Sequence, residues 1–251
     1  MQTSLSVVMP AYNEQATILR VARRVLDLPV VQQLVIVDDY SSDATGELID
    51  GLASTDARVQ VVHHAANQGK TEALKTGIAA TIGDIVIVQD ADLEYDPAEI
   101  PKVIAPIQSG ATDVVYGSRF LQPSHSRPVR WHDNLANKTL TFLSNLFSGL
   151  RLTDVETGYK AFRGEVIRNM HLTSSGFGFE IEVTAKARKL GCDIQEVPVS
   201  YRGRTYAEGK KIGLRDGLAA LWYIVKFNCF CSLEKSFTKA GRELPKSSRA
   251  A

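Results

Sequence analysis

Asp90 and Asp92 stand two residues apart, directly after the apolar run Ile85-Val86-Ile87-Val88, and Glu94 follows two residues later. Carboxylates crowded this closely suit a hard divalent cation, which takes oxygen ligands. Mg2+ or Mn2+ matches such a set, because either ion keeps coordination positions for substrate phosphates. Left to themselves, three carboxylates within five residues repel one another, and a cation carrying a diphosphate relieves that repulsion. An isolated Asp-x-Asp is more often a solvated acidic loop. The place of this one, after a buried strand, favours a site.

Three further polar clusters occupy equivalent places along the chain. Pro10 to Glu14 follows the apolar run Leu5–Met9, Asp38-Asp39 follows Leu34–Val37, and Asn67 to Lys70 comes after Val59–Val62. Those short, β-branched runs read as buried strands. Between them, Glu14–Leu26 carries Ile18, Val21, Ala22 and Val25 at helical spacing, and further helices are expected after Asp43 and from about Gly69. Strands alternating with helices predict an α/β fold, a mostly parallel central sheet flanked by helices. Ligands of such sheets sit beyond the carboxyl ends of the strands, where all four clusters fall.

The second half predicts a strand at Asp113–Tyr116 running into Gly117-Ser118-Arg119 and a helix over Leu135–Leu150. A helix over Glu180–Leu190 closed by Gly191, a strand over Ile194–Tyr201 and a last helix from about Leu214 to Phe230 follow. Trp222 and Tyr223 are expected to pack that helix, and from Ser232 onward the chain is polar, basic and expected to fray.

Of 251 residues, 44% are hydrophobic and 23% charged, which excludes a disordered chain, a collagen-like fibre and a multi-span membrane protein. Cys192, Cys229 and Cys231 are too few for a disulfide framework and lack metal-finger spacing, so they read as reduced thiols of a cytoplasmic protein. No signal peptide and no spanning segment are expected, since no apolar run approaches eighteen residues. The net charge of +1 is unevenly spread: residues 202–251 hold eleven basic and four acidic side chains. A cationic end of this kind meets an anionic partner. Nucleic acid is disfavoured, because aromatic residues are not interleaved with the Lys and Arg. An anionic membrane surface fits better, with the apolar face of the last helix beside it. The five histidines share no ligand spacing. Neither a Walker-type loop nor G-x-G-x-x-G follows the first strand, which argues against ATPases and dinucleotide enzymes.

Taken together, Val8-Met9-Pro10-Ala11-Tyr12-Asn13-Glu14, Val35-Ile36-Val37-Asp38-Asp39-Tyr40-Ser41, Asn67-Gln68-Gly69-Lys70 and Gln89-Asp90-Ala91-Asp92-Leu93-Glu94-Tyr95-Asp96-Pro97 resemble the family 2 inverting glycosyltransferases. Gly117-Ser118-Arg119-Phe120, Asp154-Val155-Glu156-Thr157-Gly158-Tyr159-Lys160 and Tyr201-Arg202-Gly203-Arg204 through Gly209-Lys210-Lys211 extend the match to about residue 217. The likeness is to the dolichol-phosphate mannose synthase and polyprenyl-phosphate glycosyltransferase branch. It implies a single-domain nucleotide-diphospho-sugar transferase fold of the GT-A type over 1–230, with a nucleotide-binding half to about 118, an acceptor-binding half to 230, and a basic, flexible tail over 231–251.

The resemblance also implies roles. Pro10, Ala11, Tyr12 and Glu14 with Asp39, Lys70 and Ala91 line the nucleotide-sugar pocket, Asp39 near base and ribose. Asp90 lies on the sugar and metal side, and Asp92 and Glu94 ligate Mg2+ or Mn2+. Arg119 and Arg130 face the acceptor phosphate or donor diphosphate, and Arg204 with Lys210 and Lys211 closes over the diphosphate.

The implied reaction moves a hexose from a GDP- or UDP-sugar to a polyprenyl phosphate, dolichyl or undecaprenyl, at the cytoplasmic face of the membrane. A lipid phosphate is already ionised and needs no strong base. A hydroxyl acceptor on a glycan, polysaccharide or protein would need one, which hydroxyl-transferring relatives supply from a Glu-Asp pair; Gly178-Phe179-Glu180-Ile181-Glu182 lacks it. Glu180 also reads simply as a carboxylate favoured at a helix start. A non-catalytic sugar-nucleotide-binding subunit is the third reading, disfavoured by the intact acidic triad. Family members often carry C-terminal spans; without one, attachment rests on peripheral binding or on a separate membrane subunit.

Overall fold

The computed structural model describes residues 3–121, 131–203 and 214–244. Seven strands form one sheet in the order β3-β2-β1-β4-β6-β5-β7. They are β1 (Leu5–Ala11), β2 (Val31–Asp38), β3 (Val59–His63), β4 (Ile85–Val88), β5 (Val114–Ser118), β6 (Lys160–Arg163) and β7 (Ile194–Pro198). The first four follow the expected alternation with α1 (Ile18–Leu26), α2 (Thr45–Ala53) and α3 (Lys70–Ala79). Next come α4 (Ile100–Gln108), α5 (Trp131–Ser148), the short α6 (Gly164–Arg168), α7 (Phe179–Leu190) and α8 (Leu214–Val225).

Side chains of the central strands feed two cores. Leu5, Val7 and Met9 of β1, with Ile85 and Ile87 of β4, pack on one face, under Ile18 and Val21 of α1 and Ile100 and Val103 of α4. Val8, Val86 and Val88 pack on the other, against Leu74 of α3, Ile181 and Val183 of α7 and Ile224 of α8. Burial on both faces is why these strands are continuously apolar. Helix α7 ends where expected, on Gly191 in the left-handed conformation at φ 82°.

One strand was not legible. β6 runs antiparallel to both β4 and β5, with Ile87 opposite Ala161 and Tyr116 opposite Lys160. Being reversed, it starts at the edge where its neighbours finish. The segment leading into it, Asp154–Tyr159, is thereby delivered to the carboxyl edge beside Asp90.

Two expectations about the end of the chain need correction. Trp222 does not pack the last helix but is 58% exposed, whereas Tyr223 does pack, its hydroxyl within hydrogen-bond distance of the Ser175 backbone and side chain. From Ser232 the described chain does not fray. Short helices α9 (Leu233–Ser236) and α10 (Lys239–Arg242) bury Phe237, and the amides of His171 and Thr238 bond the carbonyls of Ser236 and Asn169. One buried aromatic ring and this backbone pairing hold a segment whose composition is otherwise that of a solvated tail. Residues 245–251 lie outside the described residues.

Candidate active site

The loops after β1 and β2 form a single laced unit. Asn13 and Tyr40 both adopt left-handed backbone, at φ 53° and 65°. The strain is held by cross-links: Asn13 N donates to Ser41 Oγ, and Ser42 N to Asn13 Oδ1 (2.9 and 2.8 Å). The Glu14 amide donates to Thr45 Oγ1, and that of Asp39 to the Ala11 carbonyl. Pro10 and Ala11 are thus the last residues of β1, and Tyr12 stands exposed on the laced loop.

Asp39 is buried and heavily used. Its carboxylate accepts from the amides of Gln68 and Gly69 at 2.9 and 2.7 Å and lies 2.7 Å from His64 Nδ1. These oxygens fasten the loop in front of α3 to the end of β2. That clamp sets where Lys70, the first residue of α3, projects. His63 bridges Asp38 and Asp50 in the same way.

Lys70 Nζ reaches Asp90 Oδ1 at 2.8 Å and Glu180 Oε1 at 3.7 Å. Burial works against the ammonium, but Asp90 and Glu180 outweigh it and hold the Lys70 pKa above that of an ordinary lysine. Glu180, in the first turn of α7, is therefore more than a helix-start charge: it belongs to the group around Asp90. Glu182, two residues on and therefore facing the other side of α7, is spent elsewhere, on Lys186 and on the amides and hydroxyls of Thr173 and Ser174.

The acidic loop is organised by its own neighbours. Buried Asp92 accepts from the Glu94 amide at 2.9 Å, and Glu94 Oε2 accepts from the Tyr201 hydroxyl at 2.9 Å. Ala91 is buried in the core behind them. Among the described residues no three His, Cys, Asp or Glu side chains are gathered as metal ligands. Lys70 on Asp90, Tyr201 on Glu94 and backbone donation to Asp92 each offset part of the expected repulsion. The donor set still fits a hard cation: Asp90 and Asp92 offer only oxygen, and a glycine faces Asp90. A Cβ on Gly158 would lie 2.8 Å from Asp90 Oδ2 and 3.5 Å from Lys70 Nζ, so only glycine leaves that side of the carboxylate open.

Opposite this loop, Arg119 forms a two-pronged ion pair with Asp154, Nε to Oδ2 and Nη2 to Oδ1 both at 2.7 Å. Its guanidinium carbon lies 5.0 Å from the Tyr201 ring centroid. Two of its three nitrogens are therefore committed to the protein, which leaves one edge for a phosphate. Tyr95 joins the two walls, its hydroxyl 3.2 Å from Thr157 Oγ1 and from the Gly158 amide. Arg130, Arg204, Lys210 and Lys211 lie outside the described residues.

Four site residues had no role assigned from sequence: Asp154, Glu156, Lys160 and Tyr201. Lys160 is fully buried, its ammonium 4.0 Å from the Tyr116 ring centroid and donating to the carbonyls of Val155 and Thr157 at 2.8 and 2.6 Å. Burial pulls its pKa down, and burial with the nearby Glu180 pushes Glu156 up, to about 7. All four fall in the blocks Asp154–Lys160 and Tyr201–Arg204 that extend the family resemblance, but the polarity of the first block conceals that it enters a central strand.

The chain matches known proteins over the segment that builds this site. The family model Glycosyl transferase family 2 covers residues 6–170. Undecaprenyl-phosphate mannosyltransferase of Micrococcus luteus is 29% identical, the alignment spanning 86% of this chain and 94% of that protein. Polyprenol monophosphomannose synthase of Mycolicibacterium smegmatis is 30% identical over 82% and 80%. Among solved structures, glucosyl-3-phosphoglycerate synthase from Mycobacterium tuberculosis, in complex with Mn2+, UDP-glucose and phosphoglyceric acid, superposes with a TM-score of 0.69 at 25% identity, covering 90% of this chain and 79% of that one. An acidic loop beyond a buried parallel strand, a lysine locked upon it and a match across two thirds of the length have one explanation: the chain belongs to glycosyl transferase family 2.

Proposed function

We propose that this glycosyltransferase moves a hexose, with inversion, from a GDP- or UDP-sugar to a polyprenyl phosphate such as dolichyl or undecaprenyl phosphate. The two relatives named above are by name polyprenyl-phosphate mannosyltransferases.

The observation that carries a lipid acceptor is the apolar surface beside the site. Phe142 and Leu146 of α5 and Leu218 and Trp222 of α8 are exposed, Phe142 and Trp222 by 65% and 58%. Both helices pack together, and Tyr223 of α8 touches the loop before α7 that carries Glu180. Large exposed apolar residues on two adjoining helices mark an interaction surface. Lys138 on α5 and Lys226, directly after α8, supply positive charge toward an anionic headgroup layer. No helix among the described residues is long and apolar enough to cross a membrane, so this reading has the protein bind peripherally at the cytoplasmic face, directly or through a membrane subunit.

Asp90 and Asp92 are the residues proposed to hold Mg2+ or Mn2+, with Glu94 third once its bond to Tyr201 yields. When bound, the ion offsets negative charge on the departing diphosphate. Lys70 keeps Asp90 oriented and adds a fixed positive charge that needs no reorganisation. The free edge of Arg119, with Arg130, Arg204, Lys210 and Lys211, serves the phosphates of donor and acceptor. Pro10 to Glu14 forms the floor of the nucleotide pocket, and Asp39 shapes it through the 67–69 loop. The acceptor phosphate oxygen attacks the anomeric carbon as the bond to the nucleoside diphosphate breaks, and one displacement inverts the centre. A phosphate nucleophile is ionised at neutral pH, so no general base is required, and positioning does most of the work.

Purified protein supplied with radiolabelled GDP- and UDP-hexoses, polyprenyl phosphate and Mg2+ or Mn2+ tests this. Label in organic-extractable lipid supports it; label only in water-soluble glycan assigns a hydroxyl acceptor instead, and nucleotide binding without turnover assigns a non-catalytic subunit.

A further inference from the structure

We propose that Glu156 reads a hydroxyl group of the transferred hexose and so sets which sugars the enzyme accepts. This rests on the nucleotide-sugar reading above and names a determinant of donor choice within it.

The backbone around Glu156 is fixed from every side. Asp154 is clamped to Arg119, the Val155 amide donates to Thr141 Oγ1, Thr157 Oγ1 donates to the Gly117 carbonyl at 2.6 Å, and Gly158 lies against Asp90. The residue between them cannot drift from the pocket wall to which Asp90 belongs. One of its carboxylate oxygens nevertheless lacks a partner: Glu156 Oε1 is buried, and no donor reaches it among the described residues.

Comparison with the neighbouring carboxylates makes that vacancy informative. Asp154 takes three donated bonds from Arg119. Glu182 receives four from Thr173 and Ser174 besides its lysine. Each is satisfied, as buried structural carboxylates are. Lys160, the cation next to Glu156, spends its hydrogen bonds on the carbonyls of Val155 and Thr157, either side of Glu156. The charge of the lysine is close, yet the carboxylate oxygen stays unused. A buried acceptor left without a donor has lost its hydration and gained nothing in return. A ligand that brings a donor makes good that loss.

The class of donor follows from position. The nucleotide end of the site is the β1 and β2 loops; the acceptor end is the apolar face of α5 and α8. Glu156 sits between them, on the segment that touches Asp90, with Glu180 as its strongest charged neighbour. The group that occupies this middle ground is the hexose, whose ring hydroxyls are neutral donors. A site built to bond a hydroxyl rejects the analogue lacking it far more strongly than an apolar pocket does.

The test compares wild type, Glu156→Gln and Glu156→Ala on GDP-mannose and UDP-glucose and on the 2-, 3-, 4- and 6-deoxy analogues of whichever donor is used, reading kcat/KM for each. In the wild type one deoxy position loses at least about tenfold. In Glu156→Ala that penalty falls below about threefold while those at other positions persist, and Glu156→Gln, which keeps an acceptor oxygen and the side-chain shape, lies between. An unchanged deoxy profile in a folded Gln or Ala variant overturns the assignment. Wild-type protein that binds nucleotide sugars with no hydroxyl preference also overturns it, leaving the transfer reaction standing. Wild type that neither binds nor turns over any nucleotide sugar removes the underlying reading, and this assignment with it.

Discussion

Lys70 Nζ lies 2.8 Å from Asp90 Oδ1, joining the first residue of α3 to the loop beyond β4. The contact closes a chain of supports: Asp39 fixes the 67–69 loop, that loop fixes the start of α3, and Lys70 then fixes the carboxylate. Glu180 approaches the same ammonium from α7. Replacing Lys70 by Met should lower kcat/KM for sugar transfer about 10²–10³-fold, the scale seen when one preorganised charge or donor is removed. A steady-state transfer assay with a thermal melt checks this; an unimpaired, folded variant removes Lys70 from the mechanism.

Asp92→Asn keeps the shape of the side chain and its capacity to accept from the Glu94 amide but forfeits the charge. The proposed ion then loses a ligand. Divalent-dependent donor binding, read as the extra thermal shift that Mn2+ gives in the presence of nucleoside diphosphate, should vanish, and transfer should fall by about 10²-fold or more. Full wild-type activity in excess chelator would contradict the metal role of the acidic loop.

The Arg119–Asp154 pair is almost wholly shielded, with side-chain exposures of 11% and 0%. Asp154→Ala strands a buried guanidinium and should cost about 3–5 kcal/mol in urea unfolding. Adding Arg119→Met to that variant should restore much of the loss, since no buried charge is then left unpaired. A double variant as unstable as the single one would show that the Asp154 carboxylate acts through the Arg119 amide instead.

The raised pKa of Glu156, up to about 7 through burial and Glu180, carries a definite sign. The folded state holds this proton more tightly than the unfolded chain, whose carboxyl titrates near the ordinary value of 4.5. Its contribution to stability is fully present below about 4.5 and is lost as pH rises through about 7. Glu156→Gln, which cannot ionise, should therefore melt higher relative to wild type at pH 8 than at pH 5. Parallel melting curves across that range would place the titration elsewhere.

Peripheral attachment through α5 and α8 has its own readout. Phe142→Glu with Trp222→Glu puts two charges on the exposed apolar face and should weaken co-sedimentation with anionic vesicles about tenfold or more, with little change in melting temperature. Undiminished sedimentation would assign membrane contact to another surface.

Much of the nucleotide half was legible from residues 5–94 alone. Continuous β-branched runs between helical patterns dictate a sheet buried on both faces, and parallel crossovers bring every following loop to one edge. Lys70, Asp90 and Asp92 share that edge for this reason, whatever the details. What packing alone adds there is that Asp39 clamps the 67–69 loop, through two amides and His64.

The other wall was decided by tertiary structure. β6 is four residues long, begins and ends with a basic side chain, and takes its direction from pairing with β4 and β5, far away in sequence. Nothing local says that Lys160–Arg163 is a central strand, or that its reversal carries Glu156 and Gly158 to Asp90. The buried Lys160 is tolerated only because Tyr116 and two carbonyls receive it. The same holds at the end of the chain, where one buried ring, Phe237, and backbone pairing to Asn169 and His171 order a segment that composition marks as solvated. Local pattern determines which strands form and which loops face the ligand; long-range pairing and burial determine which charges meet there, since their cost is met only by partners the linear chain does not place side by side.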